Sequence, residues 1–458
     1  MSETSCQTRL IAFDILNKHR TTKKYVADLM AEQFSAQPVS DANRRFVAEL
    51  VYGAVRRKAT LDTFILNQIN RLQKDVEEEL WTILQVGCYQ LAFMNSVPPH
   101  AAIYETVDIS KQIHKPRWTK FINGVLRGVS RNLISETTTT TPTSKSFPTR
   151  NGEYRCCEQD CFPNPQQSFA HYFASAFSFP LWLSKRWAER FDFEELCRIG
   201  FHLNKHMPLS LRVNLLKTSR EDLLNLFQKS DIAAVAGKEE EAILLEQSQI
   251  KIPQLPGFNE GMFVVQNPSA LFASSLLAPM PGEEVLDLCA APGTKTTHIA
   301  EMMQNKGILI ATDVDEKRLD KITENATRLG LDMIQTELID KTDFATIPKG
   351  PFDAILLDVP CSNTGVLNKR PEARWRIIPK DLEELPAIQL QLLEVATNRI
   401  TPNGRIVYST CSIEPEENQN VIATFLQSHP EMKLIKEQKQ VPQKNHDGAY
   451  TALLQRQV

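Results

Sequence analysis

The sequence predicts a multidomain protein with three folded parts in series. These are an all-helical bundle, a small α+β domain and a larger α/β domain built on a parallel sheet. Three observations predict it. Residues 6–134 place apolar side chains at helical spacing, with no strand-like alternation. Residues 169–262 mix helical stretches with short strands. From residue 263 to 458, apolar runs of strand length alternate with helical segments, the order that builds a parallel sheet wrapped by helices. Between the first two parts, residues 135–168 are rich in threonine, proline and other polar residues, and are expected to be a disordered insert or linker.

Composition narrows the class. The chain has 458 residues, 42% hydrophobic and 23% charged, which fits two to four domains with ample core. Residues 1–133 carry 18 Lys and Arg against 13 Asp and Glu, a surplus of five; with a whole-chain net charge of −3, the remainder carries −8. A basic front on an acidic body points toward a polyanion partner, or to an ordinary solvated surface. Nine cysteines spread over this length do not form a disulfide framework, so reduced thiols and a cytoplasmic location are expected. The first apolar stretch, residues 10–16, is interrupted by Asp14, and no run reaches membrane-spanning length, so no membrane partner is expected.

In the bundle, Ser40 and Asp41 precede a segment whose Phe46, Val47, Leu50, Val51, Ala54 and Val55 form one apolar face. Leu61, Phe64, Ile65 and Ile69 form the next, and Leu80, Ile83, Leu84, Gly87, Leu91 and Phe93 another, before a break at Pro98-Pro99. Within the polar insert, Cys156, Cys157 and Cys161 could join His171 on a metal, but adjacent cysteines are not the usual ligand spacing, and no metal is expected. In the small domain, Pro180 opens a helix, LSLRVNLLK reads as a strand, and Ser219 caps a helix that turns Leu223, Leu224 and Phe227 inward. The order suggests an RNA-recognition-like α+β subdomain. Arg212 and Asn214 are expected to project from its strand, toward RNA or into surface bonds.

The α/β domain opens on PGEEVLDLCAAPGTKTTHIAEMMQNKGILIATD, residues 281–313. A short strand ends near Asp287, a bend of small residues follows, then a helix, then a second strand ending in Asp313. This is a Rossmann-like βαβ unit, and such sheets bind nucleotides at the carboxyl ends of their strands. Small residues admit backbone close to a ligand, and the helix N-terminus offers unpaired N–H groups. The absence of GxGxxG argues against a nicotinamide dinucleotide. Two further strands end in cysteines: residues 355–357 lead to Asp358 and Cys361, and residues 406–408 lead to Cys411. Both thiols should reach the rim that holds Asp287, Gly293 and Asp313. Two thiols beside a carboxylate suit nucleophilic chemistry, although lone cysteines are commonly buried and inert.

RRFVAELVYGAVRR, ILQVGCYQLAFMNSVPPHAAIYETVDISK and FINGVLRGVSR resemble the NusB-type RNA-binding helical domain. DLCAAPGTKT, LLDVPCSNTGV and YSTCS together resemble the RNA cytosine-5 methyltransferases of the NOL/NOP/Sun group. With the NusB-like front, the likeness is to members that act on bacterial 16S ribosomal RNA, naked or partly assembled. The resemblance covers nearly the whole chain outside residues 135–168. It implies S-adenosylmethionine as cofactor, with Cys289, Ala290, Ala291, Pro292, Gly293, Thr294 and Lys295 wrapped around it. It implies Asp313 on the ribose, Asp340 on the adenine edge with Asp343 as alternate, and Asp358 near the methyl group and the cytosine edge. Cys411 would be the nucleophile and Cys361 the group assisting release, in a monomeric enzyme. Three departures stand out. Thr294 replaces a glycine, which would strain the chain if that position needed positive φ. Asn363 varies from the commonest form. RPEARW, residues 370–375, varies too, and could line an RNA channel through Arg370, Arg374 and Trp375 or be a helix-start surface. Two rivals stay open: a NusB-like RNA-binding or assembly factor with a vestigial catalytic half, and a transfer RNA methyltransferase.

Overall fold

A computed structural model describes residues 3–22, 24–150, 152–205, 207–246, 251–443 and 446–457. The chain forms two compact units: Met1–Lys205 with Leu367–Arg376, and His206–Val366 with Ile377–Val458.

The first unit is a helical bundle. Its helices include Glu3–Thr21, Val26–Ala36, Asp41–Arg56, Lys58–Leu66, Glu78–Phe93, Pro99–Gln112 and Thr119–Asn132. Ser40 caps the third by accepting from the Asn43 N–H, and Pro99 sits in the first turn of its helix, where a missing N–H costs nothing. Val47, Leu50, Val51 and Ala54 are buried, as their spacing requires.

Residues 135–168 correct the expectation of disorder. Strands β1 (Leu133–Thr139), β2 (Ser146–Arg150) and β3 (Glu153–Cys157) form an antiparallel sheet in the order β1-β3-β2. Phe147 is fully buried, 5.1 Å from the Phe64 ring and 5.5 Å from Phe93. Arg155 donates to the carbonyls of Leu91 and Ala92 at the end of the Glu78–Phe93 helix, groups that no intrahelical donor serves. Sparse apolar residues suffice here because they enter the core of a neighbouring bundle, and threonine favours extended backbone.

The helices Phe169–Ala176, Leu181–Ala188 and Phe193–Asn204 also belong to this unit rather than opening the small domain at residue 169. Thr60 Oγ1 donates to the Ser175 carbonyl at 2.9 Å, and Phe173 stacks on Phe177 and Phe179. The chain returns to the unit at residues 367–376. Arg374 is wholly buried and donates to the carbonyls of Arg56, Ser178, Leu203 and Leu367 and to Asn204 Oδ1, all at 3.0–3.3 Å. Its guanidinium lies 4.3 Å from the Phe179 ring centroid. A cation so enclosed cannot line an RNA channel; it is a structural pin. Trp375 Nε1 donates to the Val55 carbonyl at 2.7 Å.

The second unit holds two sheets. Strands β4 (Leu209–Val213), β5 (Ala234–Ala236), β6 (Ala242–Leu245) and β7 (Phe263–Val265) form a small antiparallel sheet in the order β5-β6-β4-β7. The Arg220–Lys229 helix, capped by Ser219, packs Leu223 and Phe227 on its apolar face. β7 was expected in the larger sheet; its pairing with β4 places it here. The larger sheet contains β8 (Glu284–Leu288), β9 (Ile308–Asp313), β10 (Ile334–Leu338), β11 (Phe352–Asp358), β12 (Ile400–Thr410), β13 (Met432–Gln440) and β14 (Ala449–Arg456). Its order is β10-β9-β8-β11-β12-β14-β13. The first five are parallel, whereas β14 runs antiparallel to both β12 and β13. The sheet is therefore mixed: the Gln419–Ser428 helix carries the chain from β12 to β13, and β14 then turns back to insert antiparallel between them. Among the described residues, no helix is long and apolar enough to cross a membrane.

Candidate active site

The five parallel strands deliver the expected residues to one edge. Leu338 of β10 pairs with Asp313 of β9, Leu288 of β8 with Thr312 and Leu357, and Asp358 of β11 with Ser409 of β12. Asp340, the Cys289–Lys295 turn, Asp358, Cys361 and Cys411 all follow the carboxyl ends of these strands. That rim is where open α/β sheets take their ligands.

The turn after β8 is tight. Cys289 has φ 70°, the Ala291–Pro292 peptide is cis, and Gly293 has φ 93°. A Cβ on Gly293 would meet Ile322 at 2.8 Å, so glycine is required by space as well as by backbone. Thr294 is the first residue of the Thr294–Met302 helix and carries no positive φ. The strain expected from its replacing glycine is absent, because the left-handed residue is the one before it. Ala291 N–H donates to Asp313 Oδ2 at 3.2 Å, and Asp315 N–H to Asp313 Oδ1 at 3.1 Å. Arg318 bonds both Asp313 and the Ala291 carbonyl, closing the loop against β9.

Arg212 and Asn214 do not project outward. Arg212 is 1% exposed, pairs with Glu301 at 2.8 Å, and donates to the Thr294 carbonyl at 2.8 Å and to Thr297 Oγ1 at 3.0 Å. It thereby ties β4 to the helix that starts at the ligand turn. Asn214, also buried, donates to the carbonyls of Gly261 and Leu329.

The candidate reacting groups lie beyond the turn. Lys295 Nζ and Asp358 Oδ2 are 2.5 Å apart, and Ser409 Oγ donates to Asp358 Oδ1 at 3.1 Å. Burial opposes charge on Lys295, but the Asp358 carboxylate, then Cys411 and Asp287, outweigh it, and the lysine pKa is raised. Cys361 and Cys411, 50 residues apart, bring their sulfurs to 3.2 Å. Cys411 Sγ is also 3.2 Å from Asn363 Oδ1, and Asn363 Nδ2 donates to the Cys361 carbonyl at 2.8 Å. Asn363 takes φ 61°, a conformation asparagine tolerates well. The hydrogen bond with Cys411, and then burial, hold the Cys361 thiol well above its ordinary pKa.

Three features were not read from the sequence. Glu417 is buried beneath the thiols and accepts from Ser362 N–H at 2.8 Å and from the Ser362 and Ser412 hydroxyls at 2.5 Å. The serine following each cysteine, PCS and TCS, was the available signal. The Lys295–Asp358 pair had no local signal. Asp287, noted only as a strand end, is fully buried; Thr296 Oγ1 donates to its Oδ2 at 2.6 Å, while Oδ1 has no partner. Burial first, opposed by Thr296 and reinforced by Asp358, pushes its pKa up to about 7. Asp340 departs least from solvent: its Oδ1 accepts from Thr342 N–H and Oγ1 at 2.7 and 2.6 Å, and Asp343 Oδ1 accepts from Ala345 N–H at 2.9 Å.

The raised carboxyl has a pH consequence. Asp287 ionises near 3.8 in the unfolded chain and near 7 in the fold, so the folded state holds a proton that the unfolded state has lost between those values. Stability must then fall as pH rises through that window, by up to about 4 kcal/mol for a shift of this size. Asp287→Asn keeps the acceptor for Thr296 and removes the titration. Urea unfolding at pH 5 and pH 8 should show a smaller loss in the variant, and equal losses in both proteins would sink the account.

Residues 274–455 match the family described as 16S rRNA methyltransferase RsmB/F, residues 6–131 the NusB family, and residues 179–251 the ferredoxin-like domain of RsmF/B-like methyltransferases. The probable ribosomal RNA small subunit methyltransferase B of Bacillus subtilis (strain 168) is 33% identical over 97% of this chain and 93% of its own length. The chain belongs to the ribosomal RNA small subunit methyltransferase B family. Family members with that name from Synechocystis and Salmonella paratyphi A are also 33% identical, over 93% and 87% of this chain and 90% and 85% of theirs. The crystal structure of PH0851 covers 98% of this chain and 99% of its own with a TM-score of 0.78 and 25% identity, so the family likeness extends to the whole fold. A methyltransferase homologue from Pyrococcus horikoshii, 27% identical with a TM-score of 0.56, covers 64% of this chain and 100% of its own. As a small subunit methyltransferase B family member, the protein uses S-adenosylmethionine.

The turn fits that group. The helix beginning at Thr294 opens its N–H groups beside Gly293, and Asp313 ends β9 where ribose hydroxyls are bonded in nucleotide-binding sheets.

Proposed function

We propose that this enzyme methylates carbon 5 of a cytidine in 16S ribosomal RNA through a covalent adduct on Cys411. The observation that carries the reading is the pair of thiols 3.2 Å apart on strand ends, beside the Lys295–Asp358 pair. In this reading Cys289, Ala290, Ala291, Pro292, Gly293, Thr294 and Lys295 cradle S-adenosylmethionine, Asp313 bonds its ribose, and Asp340, with Asp343 as alternate, meets its adenine edge. Asp358 faces the methyl group and the base.

Cytosine C5 is a weak nucleophile. Attack of the Cys411 thiolate on C6 forms a C–S bond and moves electron density onto C5. The bound cofactor supplies an electrophilic methyl group on sulfonium. Lys295 places a positive charge near Cys411, which favours its thiolate. Asp358, held by Lys295 and Ser409, accepts from the exocyclic amine and orients the ring. A solvent water takes the C5 proton, the electrons of that C–H bond restore the C5=C6 double bond, and those of the C–S bond return to Cys411. The protonated Cys361 thiol, 3.2 Å away, donates to that departing sulfur. Glu417, through Ser362 and Ser412, fixes the backbone on which both thiols sit. The target base must be unstacked to enter.

Bisulfite mapping of 16S ribosomal and transfer RNA from a strain lacking the gene tests the substrate. A ribosomal cytidine should lose its mark and regain it with the wild-type gene but not with Cys411→Ser; loss confined to transfer RNA would overturn the reading. The cofactor side has its own readout. Asp313→Ala should weaken S-adenosylmethionine binding by calorimetry on the order of tenfold, the value of hydrogen bonds to a charged group. Equal affinity would remove Asp313 from the site.

A further inference from the structure

The first unit carries a cleft that the chemistry above does not use. Its volume is about 980 Å³, at the upper end of the roughly 300–1,000 Å³ that ligand sites span. Its walls come from the first helix, from Ala54, Val55 and Lys58, from Lys74 and the Glu78–Phe93 helix that follows it, and from Glu372, Trp375 and Arg376 of the returning segment.

Three observations say what it would hold. Glu372 is 4% exposed; its Oε1 accepts from Val26 N–H at 3.3 Å, while its Oε2 is buried without a hydrogen-bond partner. A buried carboxylate oxygen left unpaired is costly, and a ligand N–H would remove that cost. Trp375 presents a half-buried indole in the same wall, with Lys58 Nζ 5.3 Å from its ring centroid. Arg20 and Glu78 at the lip pair with each other, which leaves Lys58, Lys74 and Arg376 against the single carboxylate of Glu372, a surplus of two positive charges. Donor-seeking carboxylate, aromatic face and surplus cations together describe a nucleotide: amino group, base ring and phosphate. A free phosphate offers nothing to Glu372. A basic peptide would satisfy Glu372 but be repelled by the three cations.

We infer that this cleft binds one unpaired nucleotide of the RNA, its base bearing an exocyclic amine turned toward Glu372 and its phosphate toward Lys58 and Lys74. The site is a positioning site remote from the cysteines, and it rests on the RNA methyltransferase reading. Uridine suits it least, because its edge offers carbonyl oxygens where adenine and cytosine offer N–H.

Fluorescence anisotropy of labelled pentanucleotides A5, C5 and U5 on the full-length protein tests it without any methyl transfer. A5 and C5 should bind about tenfold more tightly than U5, the order of one polar base contact. Glu372→Gln presents an amide N–H in place of a lone pair and should shift the preference toward U5. Lys58→Ala with Lys74→Ala should weaken all three oligonucleotides similarly and lower the salt dependence of binding. Thermal unfolding by circular dichroism at the wild-type temperature will show that the variants are folded. Equal affinity for the three oligonucleotides, or affinities that neither variant alters, would overturn the inference and leave a protein partner as the cleft's occupant. Loss of the substrate reading would instead appear as wild-type enzyme that leaves 16S ribosomal RNA unmethylated.

Discussion

Cys411→Ser is expected to abolish methylation and to form no covalent product with RNA, whereas Cys361→Ser should accumulate one. A serine hydroxyl is far less acidic than a thiol, and no histidine or other base among the described contacts of Cys411 is placed to activate it. In Cys361→Ser the attack on C6 and the methyl transfer remain possible. What weakens is the donor beside the departing sulfur, since a hydroxyl is shorter than the thiol it replaces and no longer reaches across the 3.2 Å gap in the same way. The C–S bond should then persist. On a denaturing gel with labelled RNA, Cys361→Ser should run as a slow band that nuclease collapses, and the double variant should show none. An adduct in Cys411→Ser but not in Cys361→Ser would reverse the two roles. Methylation intact in both, with no adduct, would reject thiol catalysis altogether.

Arg374→Met should unfold the first unit at markedly lower temperature. Two effects compete. Burial, and then the neighbouring Arg56 and Arg57 charges, depress the Arg374 pKa well below its usual value, so removing the charge relieves a penalty. Against this, methionine leaves the carbonyls of Arg56, Ser178, Leu203 and Leu367 and the Asn204 amide oxygen without their common donor. Buried acceptors without partners cost about 1–3 kcal/mol each, though not additively. The acceptors win, and a net loss of roughly 3–5 kcal/mol is expected, as for breaking a buried polar cluster. Thermal unfolding followed by circular dichroism gives the answer, with Arg374→Lys expected to retain part of the stability because three donors remain. A melting temperature unchanged in Arg374→Met would mean that solvent or neighbours serve those acceptors.

Local chemistry was legible where the signal is short in range. Ser40 and Ser219 cap the helices they precede, since a side-chain oxygen two or three residues before the first free N–H groups has one favourable use. The strand, small-residue bend and helix of residues 284–302 follow from β-branched and apolar runs broken by proline and glycine. Asp313, Cys361 and Cys411 could be placed on one rim, because parallel strands joined by helices bring their carboxyl ends to the same edge.

The tertiary structure alone decided the rest. An arginine reads the same in sequence whether it meets water, RNA or a ring of carbonyls, so Arg212 and Arg374 could not be told from surface cations. The polar stretch around Phe147 looked disordered because its own composition cannot form a core; it folds because one ring enters a core made by Phe64 and Phe93. The 3.2 Å approach of Cys361 to Cys411 and the Lys295–Asp358 pair join residues 50 and 63 positions apart. By itself the sequence determined the elements, the caps and the edge of the sheet where chemistry can occur. Which side chains touch across that edge, and which charges are enclosed, depends on strand register and on packing between distant segments, and those are settled only when apolar faces far apart in the chain are buried together.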